Sequence, residues 1–152
     1  MTLAEKAISL HSGGSSCSQA VFTVFAQGLG MDARQAHKLS TGLGGGMGRT
    51  GNICGAISGG VLALSLIYGS EVGGDQEGKM KTYEVVKTFL AQIEKRHNST
   101  QCRALLGGAD LWTEAGRAKV KDECLGTKVC NPLIAEVVDY IEPLLPKEFR
   151  HG

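Results

Sequence analysis

The sequence predicts an all-α protein, a compact bundle of about six to seven helices with one glycine-rich loop, built as a single domain over residues 1–152. Three observations predict it. In nearly every long segment apolar residues recur at spacings of three and four, the period of one helical face, and no run of four or more alternates as a half-buried strand would. The stretch GGGMGRTGNICGAISGG, residues 44–60, puts eight glycines into the middle of that pattern. The length suits one core, which at this size buries roughly 68–70% of the surface an unfolded chain exposes. No repeat or long linker divides the chain.

Helix one covers Leu3 to His11, with Leu3, Ala7 and Ile8 inward. Helix two runs from Cys17 to Leu29 on a face of Ala20, Val21, Val24, Phe25 and Gly28. Helix three starts at the acidic cap Asp32 and reaches Leu43, where the glycine loop takes over. Helix four is the apolar run from Ile53. Helix five carries a core stripe of Tyr83, Val86, Phe89, Leu90 and Ile93 and ends near Arg96. A short helix over Cys102 to Leu106 precedes GGADLW, in which Trp112 reads as a packing anchor, and a weakly apolar surface helix spans Glu114 to Glu123. The last helix opens at Asn131-Pro132, read as a cap followed by a first-turn proline, and buries Ile134, Val137, Val138, Ile141 and Leu145.

A net charge of +1 with 20% charged residues supplies no field that attracts polyanions, so nucleic acid and anionic membranes are not expected partners. The opening MTLAEKAISLHS is amphipathic and carries Glu5 and Lys6, unlike a secretory leader, which points to the cytoplasm. Ile53 to Tyr68 is 16 residues long and contains three glycines, short of the roughly 20 that a membrane span needs.

Gly46-Met47-Gly48-Arg49-Thr50-Gly51 fits G-x-G-x-x-G, but a helix rather than a strand precedes it, and Arg49 stands where a P-loop has lysine. A nucleotide site is therefore disfavoured. Glycines at Gly46 and Gly48 still permit positive φ and close backbone approach, and their N–H groups beside a helix start suit an anion such as a thiolate, with Arg49 as compensating charge. Gly55 and Gly59, four apart, give helix four a smooth face for a neighbouring helix.

Five cysteines without a leader read as thiols, metal ligands or redox groups rather than a secreted disulfide framework, and an odd number cannot pair completely. No Cys-x-x-Cys-His occurs, so covalent haem is not expected. Cys17, Cys54, Cys102 and Cys130 each fall at a predicted helix start with an inward face, where the helix dipole favours the thiolate that binds metal or attacks a disulfide. The bland alternative is four buried small hydrophobes. Cys124, in a polar helix, reads as a bystander or a partner in disulfide exchange. His11, His37, His97 and His151 form no recognisable ligand pair and read as surface or helix-end residues.

With SSCSQAVF, TGLGGGMGRTGNICGAISGG, STQCRALLG and VCNPLIAEVV in place, the chain resembles the redox-active family named for its cysteine pattern, C_GCAxxG_C_C. Cys17, Cys54, Cys102 and Cys130 match its cysteine positions, although Cys54-Gly55 transposes the Gly-Cys of the name. The resemblance implies a helical redox-type domain, similar to a domain of the split-Soret cytochromes that is associated with an iron–sulfur cluster.

Three functions stay open at this point. One is electron transfer through an iron–sulfur cluster, most simply [2Fe–2S], on Cys17, Cys54, Cys102 and Cys130, serving a redox partner protein. Another is metal-free thiol–disulfide exchange with Cys54 and Cys102 as redox thiols and Cys124 or Cys130 resolving. The third is a zinc-holding or purely structural interaction module, for which a homodimer is one form.

Overall fold

A computed structural model describes residues 1–149. Among them are eight α-helices and no strand: α1 (Leu3–Ser12), α2 (Cys17–Ala26), α3 (Ala33–Leu39), α4 (Gly55–Tyr68), α5 (Gln76–His97), α6 (Cys102–Leu105), α7 (Glu114–Asp122) and α8 (Asn131–Ile141). A π-helical turn, Gly126–Cys130, runs directly into α8. His151 lies outside the described residues. No helix among the described residues is long and apolar enough to cross a membrane.

Local chemistry fixes the helix starts. Thr2 with Glu5 and Ser16 with Gln19 form capping boxes at α1 and α2, each satisfying two backbone N–H groups that the first turn leaves unpaired. Asp32, Asp75 and Thr113 cap α3, α5 and α7 through their side chains. Asn98, at φ 64°, closes α5 in the left-handed conformation.

The core forms where α2 and α4 lie together with α8 across them and α5 against α4. Phe22, Phe25, Ile57, Leu64, Phe89, Ile93 and Ile134 are its largest fully buried side chains. Glycine makes the α2–α4 contact possible: a Cβ on Gly59 would stand 2.8 Å from the Ser18 carbonyl oxygen, and one on Gly55 3.0 Å from the Ser18 nitrogen. The smooth face expected of α4 is thus the face that α2 occupies. Arg96 and His97 at the end of α5 reach Glu136 of α8 at 3.3 and 2.9 Å.

Several sequence expectations need correction. The second helix stops at Ala26 rather than Leu29, because Gly30 turns to φ 92° and lets the Met31 N–H close onto the Ala26 carbonyl. The third stops at Leu39, and Thr41–Leu43 tightens into a 3₁₀ turn. Tyr83 is 59% exposed, since α4 covers the Phe89–Ile93 side of α5 and leaves Tyr83 on the other. Trp112 is 72% exposed and anchors nothing; the small cluster beside it is built from Leu106, Ala109 and Leu111 instead. Asn131 is no cap either: it and Cys130 both have helical dihedrals, because the π-helical turn already carries the helix through them.

Candidate metal centre

Four separate segments deliver the four cysteines expected at helix starts to one cavity of about 560 Å³, although Cys130 lies within a continuous helical path rather than at a start. Cys17 is the first residue of α2, set by the Ser16 capping box. Cys54 caps α4. Cys102 opens α6, and Cys130 ends the π-helical turn. Cys54 and Cys102 are buried, while Cys17 and Cys130 are half-buried. Leu105, Leu106, Val120, Val129 and Leu133 supply apolar wall, and Ser16, Gln19 and Thr41 supply polar lining.

The glycine loop holds Cys54 and Cys102 side by side. Its strand-like end pairs with the turn before α6 through one antiparallel bridge, Ile53 to Gln101. The Cys54 N–H donates to the Thr100 carbonyl at 2.8 Å, and the Cys102 N–H to the Asn52 carbonyl at 2.6 Å. Gly46, buried at φ 72°, packs where any side chain would collide: its Cβ would lie 2.6 Å from the Asn52 nitrogen and 2.8 Å from the Cys102 Cβ. Close approach is therefore the loop's use at Gly46. Gly48 and Arg49 differ, lying exposed at the cavity rim with φ 57° and 64°, and a Cβ on Gly48 would meet nothing within 4 Å.

Burial decides the electrostatics. The Cys54 thiol is pushed up from 9.0 to about 11 by desolvation, although the Ala56 and Ile57 N–H groups at the start of α4 pull the other way. Cys102 is pushed up to about 12 by desolvation, with the charges of Cys54 and Cys130 adding to it. Cys17 is raised first by the neighbouring Cys130 thiol and then by burial. Cys130 alone is lowered, by the Cys17 thiol beside it, against the effect of burial. The expectation that helix starts lower these thiols is thus overturned at Cys17, Cys54 and Cys102: removal from water is the largest cause at Cys54 and Cys102, and the neighbouring Cys130 thiol is at Cys17.

Sequence reasoning missed His11. In the last turn of α1, its Nε2 lies 3.7 Å from the Cys17 Sγ, and its Nδ1 lies 2.7 Å from the Asn131 Oδ1. The donor atoms of His11, Cys17 and Cys130 all fall within 4.8 Å of one another, close enough to share one metal ion. Only the capping box and the Gly13-Gly14 turn, which fold α1 back beside Cys17, could have signalled it. His37 bonds Ser15 at 2.8 Å and His97 bonds Glu136, both away from the cavity. Cys124 is exposed at φ 55° and does not line the cavity.

A model of the family described as "Putative redox-active protein (C_GCAxxG_C_C)" matches residues 15–144. The chain belongs to this family. The C_GCAxxG_C_C match takes in all four cavity cysteines and begins after His11. No curated protein and no solved structure matches the chain. For this C_GCAxxG_C_C protein, then, the redox assignment comes from the family and the capacity to bind metal from the grouping of His11, Cys17 and Cys130.

Proposed function

We propose that this protein transfers electrons through an iron–sulfur cluster, most simply [2Fe–2S], held by the thiolates of Cys17, Cys54, Cys102 and Cys130. The observation that carries this reading is that four cysteines from four separate segments line one cavity, while the fifth, Cys124, stays outside it. The donor set suits such a group: it is rich in sulfur, buried at Cys54 and Cys102, and faced at Cys54 by two backbone N–H groups. A bound cluster supplies reversible one-electron chemistry. The chain's own part is to keep water from the sulfurs, to hold Cys102 against Gly46, and to place the Arg49 charge and the Gly48 backbone at the rim. A redox partner protein would dock at that rim, in a cytoplasm that keeps the thiols reduced.

Metal-free dithiol chemistry is the second reading. The Cys17 and Cys130 sulfurs, within 4.8 Å of each other, favour it, and they move the redox pair away from Cys54 and Cys102.

Anaerobic reconstitution with ferrous iron and sulfide tests the first reading. The expected result is coloured protein with about two irons and two sulfides per chain and a paramagnetic signal on reduction. Serine at Cys17, Cys54, Cys102 or Cys130 lowers iron content, and Cys124→Ser does not. Colourless, iron-free wild-type protein overturns it.

A further inference from the structure

The donors assigned so far are all sulfur, yet the end of α1 adds a nitrogen. His11 Nε2 stands 3.7 Å from the Cys17 Sγ. A tetrahedral ion with metal–sulfur bonds of about 2.3 Å and metal–nitrogen bonds of about 2.0 Å keeps such donors roughly 3.5–3.8 Å apart. The His11–Cys17 edge already has that length. The whole His11, Cys17 and Cys130 group spans at most 4.8 Å, so closing on an ion asks for side-chain adjustments of about 1 Å.

The imidazole is also preset. Asn131 Oδ1 can only accept, so His11 Nδ1 donates the hydrogen of their 2.7 Å bond, and the Nε2 lone pair is left facing the thiols. Asn131 is free for this because the π-helical turn carries the helix past it, leaving no cap to form. A ligating histidine whose other ring nitrogen is held by an oxygen is the usual arrangement at metal sites. π-helical turns themselves concentrate at functional positions.

We propose that His11 Nε2 is a metal ligand beside Cys17 and Cys130, with Asn131 as its positioning residue. The centre is then a mixed imidazole–thiolate site for a borderline-soft ion of the zinc, cobalt or iron class, with three protein donors and a fourth tetrahedral position left to solvent or another ligand. This rests on the cavity being a metal site, and not on the metal being an iron–sulfur cluster.

Cobalt(II) and zinc(II), added to the reduced full-length chain, test it. Cobalt is expected to give thiolate charge-transfer bands and the intense d–d bands of a tetrahedral site. His11→Ala shifts the d–d bands and weakens binding by about 10–100-fold. Asn131→Ala weakens it by about tenfold with the band positions kept, and Asn131→Asp restores it, which a merely structural role for Asn131 would not do. Without any substitution, zinc should shift the His11 Nε2 resonance in ¹⁵N spectra while Nδ1 keeps its proton. Cobalt that does not bind, His11→Ala affinity equal to wild type, or an unmoved His11 resonance in zinc-loaded protein overturns the proposal. If cobalt engages His11 but iron and sulfide form no cluster, the cluster reading falls and this one stands. A cluster that forms with the His11 ring unmoved does the reverse.

Discussion

The sulfurs of Cys17 and Cys130 lie within 4.8 Å of each other across the seam between the first turn of α2 and the π-helical turn, and their interaction drives the two thiols in opposite directions, Cys17 up and Cys130 down. Cys17 is held protonated. Cys130 is helped to ionise, since its negative charge is met by a neutral Cys17 thiol rather than a second thiolate.

In the metal-free protein, thiol alkylation should follow this asymmetry, because the thiolate is the reacting form. Brief treatment with iodoacetamide near neutral pH, read by peptide mass spectrometry, should modify exposed Cys124 and half-buried Cys130 first. Buried Cys54 and Cys102 should come last. Equal labelling of all five would contradict the assigned burial and the Cys17–Cys130 interaction.

Stability without metal should fall at alkaline pH. Cys54 and Cys102 are raised in the fold, to about 11 and about 12, so the native state binds more protons than the unfolded one once the pH passes the ordinary value of 9.0. Their contribution is complete below pH 9 and is lost as pH rises toward 11. For Cys54 that loss is on the order of 2–3 kcal/mol. Urea midpoints measured from pH 7 to 10.5 should decline, and Cys54→Ala should flatten the decline.

Three glycines should rank by what surrounds them. Gly46→Ala meets Asn52 and Cys102 at a positive φ and should cost more than about 2 kcal/mol, with loss of bound metal. Gly59→Ala presses on the Ser18 carbonyl and should cost about 1–3 kcal/mol while prising α2, and Cys17 with it, from α4. Gly48→Ala meets open space and bears only the left-handed backbone penalty, roughly 1–2 kcal/mol. Denaturant midpoints of the three variants check the order, which fails if Gly48→Ala is the most damaging.

Arg49 is exposed at the rim, so its charge reaches the site through water. Arg49→Gln should lower the midpoint potential of a reconstituted cluster, because a lost positive charge disfavours the more negative reduced state. The shift should shrink by about 1 M salt, where the screening length is near 3 Å. Voltammetry at two ionic strengths measures it. An unchanged potential at low salt would mean that the side chain points into solvent and contributes no charge to the site.

What the sequence by itself determined was everything local. Capping residues and the three-and-four spacing placed the helices to within a few residues and put Cys17, Cys54 and Cys102 at helix starts, whereas Cys130 falls where the π-helical turn already continues into α8. The buried face of α8 was equally legible at Ile134, Val137, Val138 and Ile141, because a helix face repeats within a few residues; Leu145 is buried too, but beyond the helix, which ends at Ile141. Tertiary structure decided the rest. Tyr83 and Trp112 are exposed because burial depends on which neighbour arrives, and an amphipathic spacing does not name the neighbour. Asn131 looked like a cap because Asn-Pro is one in isolation, but the preceding turn is helical too and releases its side chain to His11. His11 and Cys130 stand far apart in the chain, and only the packing of α1 against α8 brings the imidazole to the thiols. The thiol electrostatics reversed for the same reason. A dipole belongs to one helix and can be read from it, whereas desolvation at Cys54 and Cys102 is imposed by all the segments that close over them.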